Sequence, residues 1–189
     1  MKNYKLMTLF ILMSMSFSSQ SKGLVDPEDL KIFNDTNYCQ GCELSGATIT
    51  KNHDNGSLIN SYAVQTDFTG SLYKMNFTGS VMINSKFHSL SNASALKVQE
   101  ANFDKVNLSY SKIEHVDLSR ANFSDADLSN ANLDRTNFSE VNFTNANLTN
   151  ATIQNSILIG SNLTQEQLAQ FKSIKCTVMP NGELNNQGC

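Results

Sequence analysis

From Ala101 to Gln165 the apolar and polar residues repeat in units of five, 13 units in succession without a slip. The third residue of each unit is Phe, Leu or Ile: Phe103, Leu108, Ile113, Leu118, Phe123, Leu128, Leu133, Phe138, Phe143, Leu148, Ile153, Leu158 and Leu163. The first residue is always Ala, Val, Ser or Thr. The second is Asn or Asp in ten of the 13 units, and the fourth is most often Ser or Thr. A strand repeats every two residues and a helix every 3.6, so neither accommodates a period of five. A step of five would turn a helix by about 140° and scatter the apolar residues around it. The pattern works only if each unit contains its own turn. First and third residues, two apart on extended backbone, then face inward. The Asn, Asp and Ser between them bend the chain by hydrogen-bonding local backbone. These features predict an all-β solenoid.

The units ANFSD, ADLSN, ANLDR and ANLTN are similar to the pentapeptide-repeat consensus, close to A(D/N)LXX. The resemblance implies a right-handed quadrilateral β-helix with four pentapeptides per coil, so residues 20 apart stack in columns. One column would hold Phe103, Phe123, Phe143 and Leu163, a second Leu108, Leu128 and Leu148. Ile113, Leu133 and Ile153 would form a third column, and Leu118, Phe138 and Leu158 a fourth. The segment after the last repeat, with its Met179–Gly182 turn and final Cys, also resembles the tails of secreted bacterial members.

Upstream the repeat is less regular. Cys42/Leu44, Ala47/Ile49, Thr66/Phe68, Met75/Phe77, Ser80/Met82 and Ser85/Phe87 fit first and third positions. Residues 51–57 and 88–96 break phase and read as loops, and the register between Leu58 and Leu72 stays open. A solenoid must close its ends. Asp26 and Pro27 start a short helix, and Thr164 with Gln167 forms a capping box before a second. The expected divisions are a signal peptide at 1–21, an N-terminal cap at 22–41, the β-helix at 42–165, and a C-terminal capping helix with a disulfide-closed tail at 166–189. The signal reading rests on Lys2, Lys5 and the apolar Leu6–Phe17, too short to span a bilayer that needs about 20 helical residues.

Composition narrows the function. The 189 residues carry a formal charge of -3 and only 16% charged residues, which excludes a basic nucleic-acid binder. Removing Lys2 and Lys5 leaves 12 basic against 17 acidic residues. No other apolar run suggests a membrane anchor. The four Cys fall into two pairs at opposite ends, so Cys176–Cys189 is the expected disulfide of an exported chain. Cys39 and Cys42 face inward in repeat phase, either bonded to each other as a second disulfide or left as free thiols. The Cys39/Cys42 CxxC lacks a surrounding βαβ pattern for redox work and further ligands for zinc, so neither metal nor cofactor is expected. His53, His88 and His115 are isolated, and Asp117 and Asp127 lie on opposite sides of a four-sided coil. No catalytic residues are assigned. Asn102, Asn122, Asn142 and Asn162 should form a ladder, bonded between coils or open to a repetitive glycan.

The expected function is a non-enzymatic extracytoplasmic binding or structural scaffold whose partner is an unidentified protein or glycan. The phase-breaking loops, with His53 and His88, are the first candidate contacts. Ile157 and Ile159, apolar at outward positions, are the next. The alternatives are a gyrase-interacting DNA mimic of the same fold and an enzyme of unrecognised type. Against the mimic, residues 101–165 carry seven acids and four bases, a net of -3.

Overall fold

A computed structural model describes residues 25–88 and 95–189. The expected signal peptide, residues 1–21, and residues 89–94 of the expected 88–96 loop lie outside the described residues. No helix among the described residues is long and apolar enough to cross a membrane.

The chain is a β-solenoid of about seven turns. Each turn has four short faces, and equivalent faces of successive turns pair in parallel. On the first face Tyr38 pairs with Ser57 and Ser57 with Asn76, a pitch of 19 residues. Asn76 then pairs with Asn102, and Asn102, Asn122 and Asn142 continue at a pitch of 20. On the third face the paired strands form one seven-stranded parallel sheet running from Thr48–Ile49 to Ser173–Lys175.

The corners are made by the fifth residue of each unit, which takes left-handed backbone: φ is 61° at Arg120, 54° at Asp125 and 59° at Asn130. The amide N–H two residues into such a turn closes it, as Ala121 N–H donates to Leu118 O at 3.0 Å and Ala131 N–H to Leu128 O at 3.1 Å. No Val, Ile or Thr occupies a left-handed position among the described residues, as β-branched side chains fit that conformation worst. The second residue supports the same turn from outside. Asn122 Oδ1 accepts from Ser124 N–H at 3.2 Å, while Asn122 Nδ2 donates to Asn102 Oδ1 in the preceding coil at 3.0 Å.

First and third residues fill the interior. Phe103, Leu108, Ile113, Leu118, Phe123, Leu128, Leu133, Phe138, Phe143, Leu148, Ile153 and Leu158 are all buried. The Phe rings of the first face stack along the axis: Phe77 on Phe103 at 4.9 Å, Phe103 on Phe123 at 4.6 Å and Phe123 on Phe143 at 5.7 Å. Leu163 is only partly buried, because a helical turn begins just beyond it and Gln167 covers the column instead. Gln167 Nε2 donates to Phe143 O at 2.7 Å and to Ala146 O at 3.1 Å.

Both ends depart from the regular coil. Helix α1, Pro27–Thr36, is N-capped by Asp26 and lays Phe33 on the first coil. At the other end the expected helix is a single turn, α2, Gln165–Leu168, with the capping box intact. The chain then resumes the solenoid: Ser173–Lys175 pairs with Thr152–Gln154, and Thr177–Val178 pairs antiparallel with Leu184–Asn185. Phe171 packs partly buried against the core. The Cys39–Cys42 and Cys176–Cys189 pairs form disulfides in the first and last coils, with Cα separations of 5.9 and 5.2 Å.

The reading of residues 51–57 as a loop is corrected. His53 is the third-position residue of the fourth face in the first coil and has 0% exposure. It follows Ile49 by four residues, not five, and Leu72 follows Phe68 by four in the next coil. The fourth-face unit has lost one residue in each, which is why the five-residue count slipped. Gly70 makes the shortened corner possible, since a Cβ there would sit 1.8 Å from Lys51 O. In the third coil the same corner gains residues: the third-face strand Lys86–His88 ends at His88 and Leu96–Lys97 opens the fourth face, so both end residues of the expected 88–96 loop lie in strands. Deletions and insertion therefore fall at one corner of the rod.

Candidate binding face

The Asn ladder is consumed by the fold. Asn142 Nδ2 donates to Asn122 Oδ1 at 2.9 Å and Asn162 Nδ2 to Asn142 Oδ1 at 2.7 Å. Their oxygens also accept local N–H groups, as Thr144 N–H to Asn142 Oδ1 at 3.1 Å. A ligand would have to displace these bonds, so the ladder is a poor glycan site.

His53 cannot meet a partner. Its ring stacks on Phe33 at 4.0 Å, and its Nδ1 lies 2.9 Å from Asn37 Oδ1. Its Nε2 is buried without a hydrogen-bond partner among the described residues. Burial, with Lys51 nearby, lowers its pKa to about 4 against the weaker opposing pull of Asp54. It is a neutral core residue beneath the lid. His88 closes the third-face strand Lys86–His88, with Nε2 2.8 Å from Asp67 Oδ1 at half-buried sites. Ile157 and Ile159 are 38% and 47% exposed, on the fourth face near the C-terminal end, where Ile157 pairs with Val178.

The fourth face holds something the repeat does not require. Where regular units place Asn and Ser, its first three coils place Asp54, Tyr73, Lys97 and Gln99. With Ser71, Asp117, Ser119 and Arg120 they line an open groove of about 440 Å³. Its floor is tied by hydrogen bonds from Tyr73 N–H to Asp54 Oδ1 at 3.0 Å and from Gln99 Nε2 to Asp117 Oδ2 at 2.7 Å. Gln99 Oε1 is buried with no partner among the described residues. Along the adjoining corner, fifth-position charges alternate. Lys74 and Arg120 flank Glu100 at 3.2 and 3.3 Å, and Tyr73 Oη donates to Glu100 at 3.4 Å. Glu100 thereby holds the Lys74 ammonium above its ordinary pKa. The groove therefore offers donors, acceptors and both signs of charge on a rigid β surface. Sequence spacing hid it, because its residues align only through the unequal pitches of the coils.

Residues 89–125, 101–139 and 126–165 match the family profile described as Pentapeptide repeats, eight copies in all. Residues 89–165 are thus a run of pentapeptide repeats. No curated protein sequence matches the chain. Among solved structures, the chain is similar to the pentapeptide repeat protein Rfr23 from the cyanobacterium Cyanothece 51142. The two are 17% identical over 68% of this chain and 96% of that one, with a TM-score of 0.37. It is also similar to HetL of Nostoc sp. strain PCC 7120, a pentapeptide repeat protein involved in heterocyst differentiation regulation. There the identity is 16% over 86% and 100% of the chains, with a TM-score of 0.29. A pentapeptide repeat protein of the Arabidopsis thaliana thylakoid lumen is 19% identical over 75% and 86%, with a TM-score of 0.31.

Proposed function

We propose that this protein is a non-enzymatic binding scaffold that works outside the cytoplasm and meets its partner through the fourth face. The observation that carries the reading is the concentration of non-repeat residues there: Asp54, Tyr73, Lys97, Gln99 and Arg120 share one groove, whereas the side chains of the Asn ladder are satisfied within the rod. A repeat protein needs only the column residues and turns to fold, so side chains outside that requirement are free to recognise a partner. The two disulfides suit an oxidising compartment.

Recovery of the mature protein from its native compartment, with cross-linked partners, tests the proposal. Mass spectrometry should find a start between Ser19 and Lys22. The combined Lys97→Glu and Arg120→Glu variant should lose the cross-linked partner, while Lys86→Glu on the third face retains it. A cytoplasmic product that begins at Met1 would overturn the location. Partner capture unaffected by the double variant would move the site away from the fourth face.

A further inference from the structure

The Cys39–Cys42 disulfide has a neighbour that its CxxC spacing does not reveal. Asp29, on α1, brings its carboxylate to the two sulfurs, and the three ligand atoms all lie within 4.8 Å of one another. The cysteines are 6% and 4% exposed, and Asp29 is half-buried. The carboxylate is held in place by Glu43 N–H, which donates to Asp29 Oδ2 at 2.9 Å. Outer contacts of this kind orient metal ligands.

We propose that the reduced form of this cluster is a binding site for a thiophilic divalent cation, with Cys39 Sγ, Cys42 Sγ and the Asp29 carboxylate as ligands. The donor set is two thiolates and one oxygen, which suits Zn²⁺ with a water in the fourth position. Two Cys separated by two residues have the spacing of a zinc-ligand pair. Tetrahedral zinc at about 2.3 Å from each sulfur needs the sulfurs about 3.8 Å apart. A disulfide holds them about 2 Å apart, so opening the bond and rotating the side chains supplies the difference without moving the backbone. A phosphine reductant cleaves the bond by taking an oxygen from water: two thiols and a phosphine oxide result. Zinc then displaces the two thiol protons. The two states tie different things together. The disulfide joins two residues of the first coil, whereas the metal would fasten the lid helix α1 to that coil through Asp29.

The test uses the full chain carrying Cys176→Ser and Cys189→Ser, so that only one thiol pair remains. After phosphine reduction it should take up one Zn²⁺ per chain, measured by competition with a chromogenic chelator, and the oxidised chain should take up none. Asp29→Asn should weaken binding roughly tenfold or more. Zinc should also raise the melting temperature of the reduced chain, or restore its fold if reduction has unfolded it, and slow amide exchange in α1. Failure of the reduced chain to bind zinc would overturn the proposal. So would zinc affinity indifferent to Asp29→Asn, or zinc without effect on α1 exchange and melting.

Discussion

The first three coils and the last regular ones solve the same packing problem with different residues. From Ala101 onward the first positions are mostly Ala and Val, every unit has five residues, and the coils advance by 20. Upstream the first two coils advance by 19 and the third by 26, and the first positions of the second and third faces carry hydroxyls: Ser61, Ser80, Thr66 and Ser85, all at 0% exposure. These hydroxyls bond the backbone across coils. Ser61 N–H donates to Ser80 Oγ at 3.1 Å, and Ser85 Oγ donates to Ala63 O at 2.6 Å while accepting from Thr66 N–H at 3.3 Å. The regular region is held mainly by apolar stacking, with buried, hydrogen-bonded hydroxyls at Ser111, Thr136 and Ser156, whereas upstream such hydroxyls line two faces. The solenoid therefore constrains where side chains point more tightly than what they are.

Truncating the aromatic stacks is the strongest way to probe whether the two regions act as one. Phe68, stacked on Phe87 at 4.7 Å, and Phe123, stacked on Phe103, are both buried. Phe68→Ala and Phe123→Ala should each cost about 3–5 kcal/mol in urea unfolding. A single transition lowered by both would make the rod one cooperative unit. Two transitions, each answering to one variant, would divide it. Glycines give a sharper contrast. Gly70→Ala forces a Cβ onto Lys51 O at 1.8 Å and should cost about 3 kcal/mol. Gly160→Ala meets nothing closer than 3.5 Å and carries only the strain of φ 69°, about 1 kcal/mol.

Acid should find the irregular end first. His53 has a pKa of about 4 in the folded chain against 6.5 for the free side chain. The unfolded chain therefore takes up a proton as pH falls below 6.5, while the folded chain resists until about 4. The stability at stake is whole above the upper value and lost on the way down, up to about 3 kcal/mol. Amide exchange in α1 should quicken between those limits before exchange in residues 121–150 does, and His53→Phe should abolish the difference. The smallest expected effect is at the hydroxyls: Ser85→Ala should cost about 1 kcal/mol by thermal melting. A loss near zero would mean that the buried serines are merely tolerated.

The regular half was legible because each unit kept its five residues, so that the turn, the columns and the ladder all followed from one count. The irregular half was not, because a missing corner residue puts His53 where an apolar residue was expected, and a His in a polar stretch reads as loop. Its burial depends on Phe33, which arrives from a helix 20 residues earlier in the chain. The groove was hidden for a similar reason. Lys97 and Arg120 stand 23 apart and Asp54 and Tyr73 19 apart, separations that mean nothing until the pitch of each coil is known. Asp29 reaches the Cys pair only through the packing of α1 on the first coil. The residues that signalled the corners were visible all along: fifth positions that admit Lys, Arg, Glu and Asn but no β-branched side chain.

The two disulfides have a consequence set by their places in the stack. In a rod where each coil touches only its neighbours, an interior coil cannot open without breaking two interfaces, but an end coil has only one to break. Fraying therefore starts at the tips, and so does digestion by any protease that needs a loosened strand. Cys39–Cys42 and Cys176–Cys189 each tie the chain to itself within a terminal coil. The covalent bonds thus guard the two points from which the molecule would unravel, and they set how long it survives among proteases more than how stable its middle is.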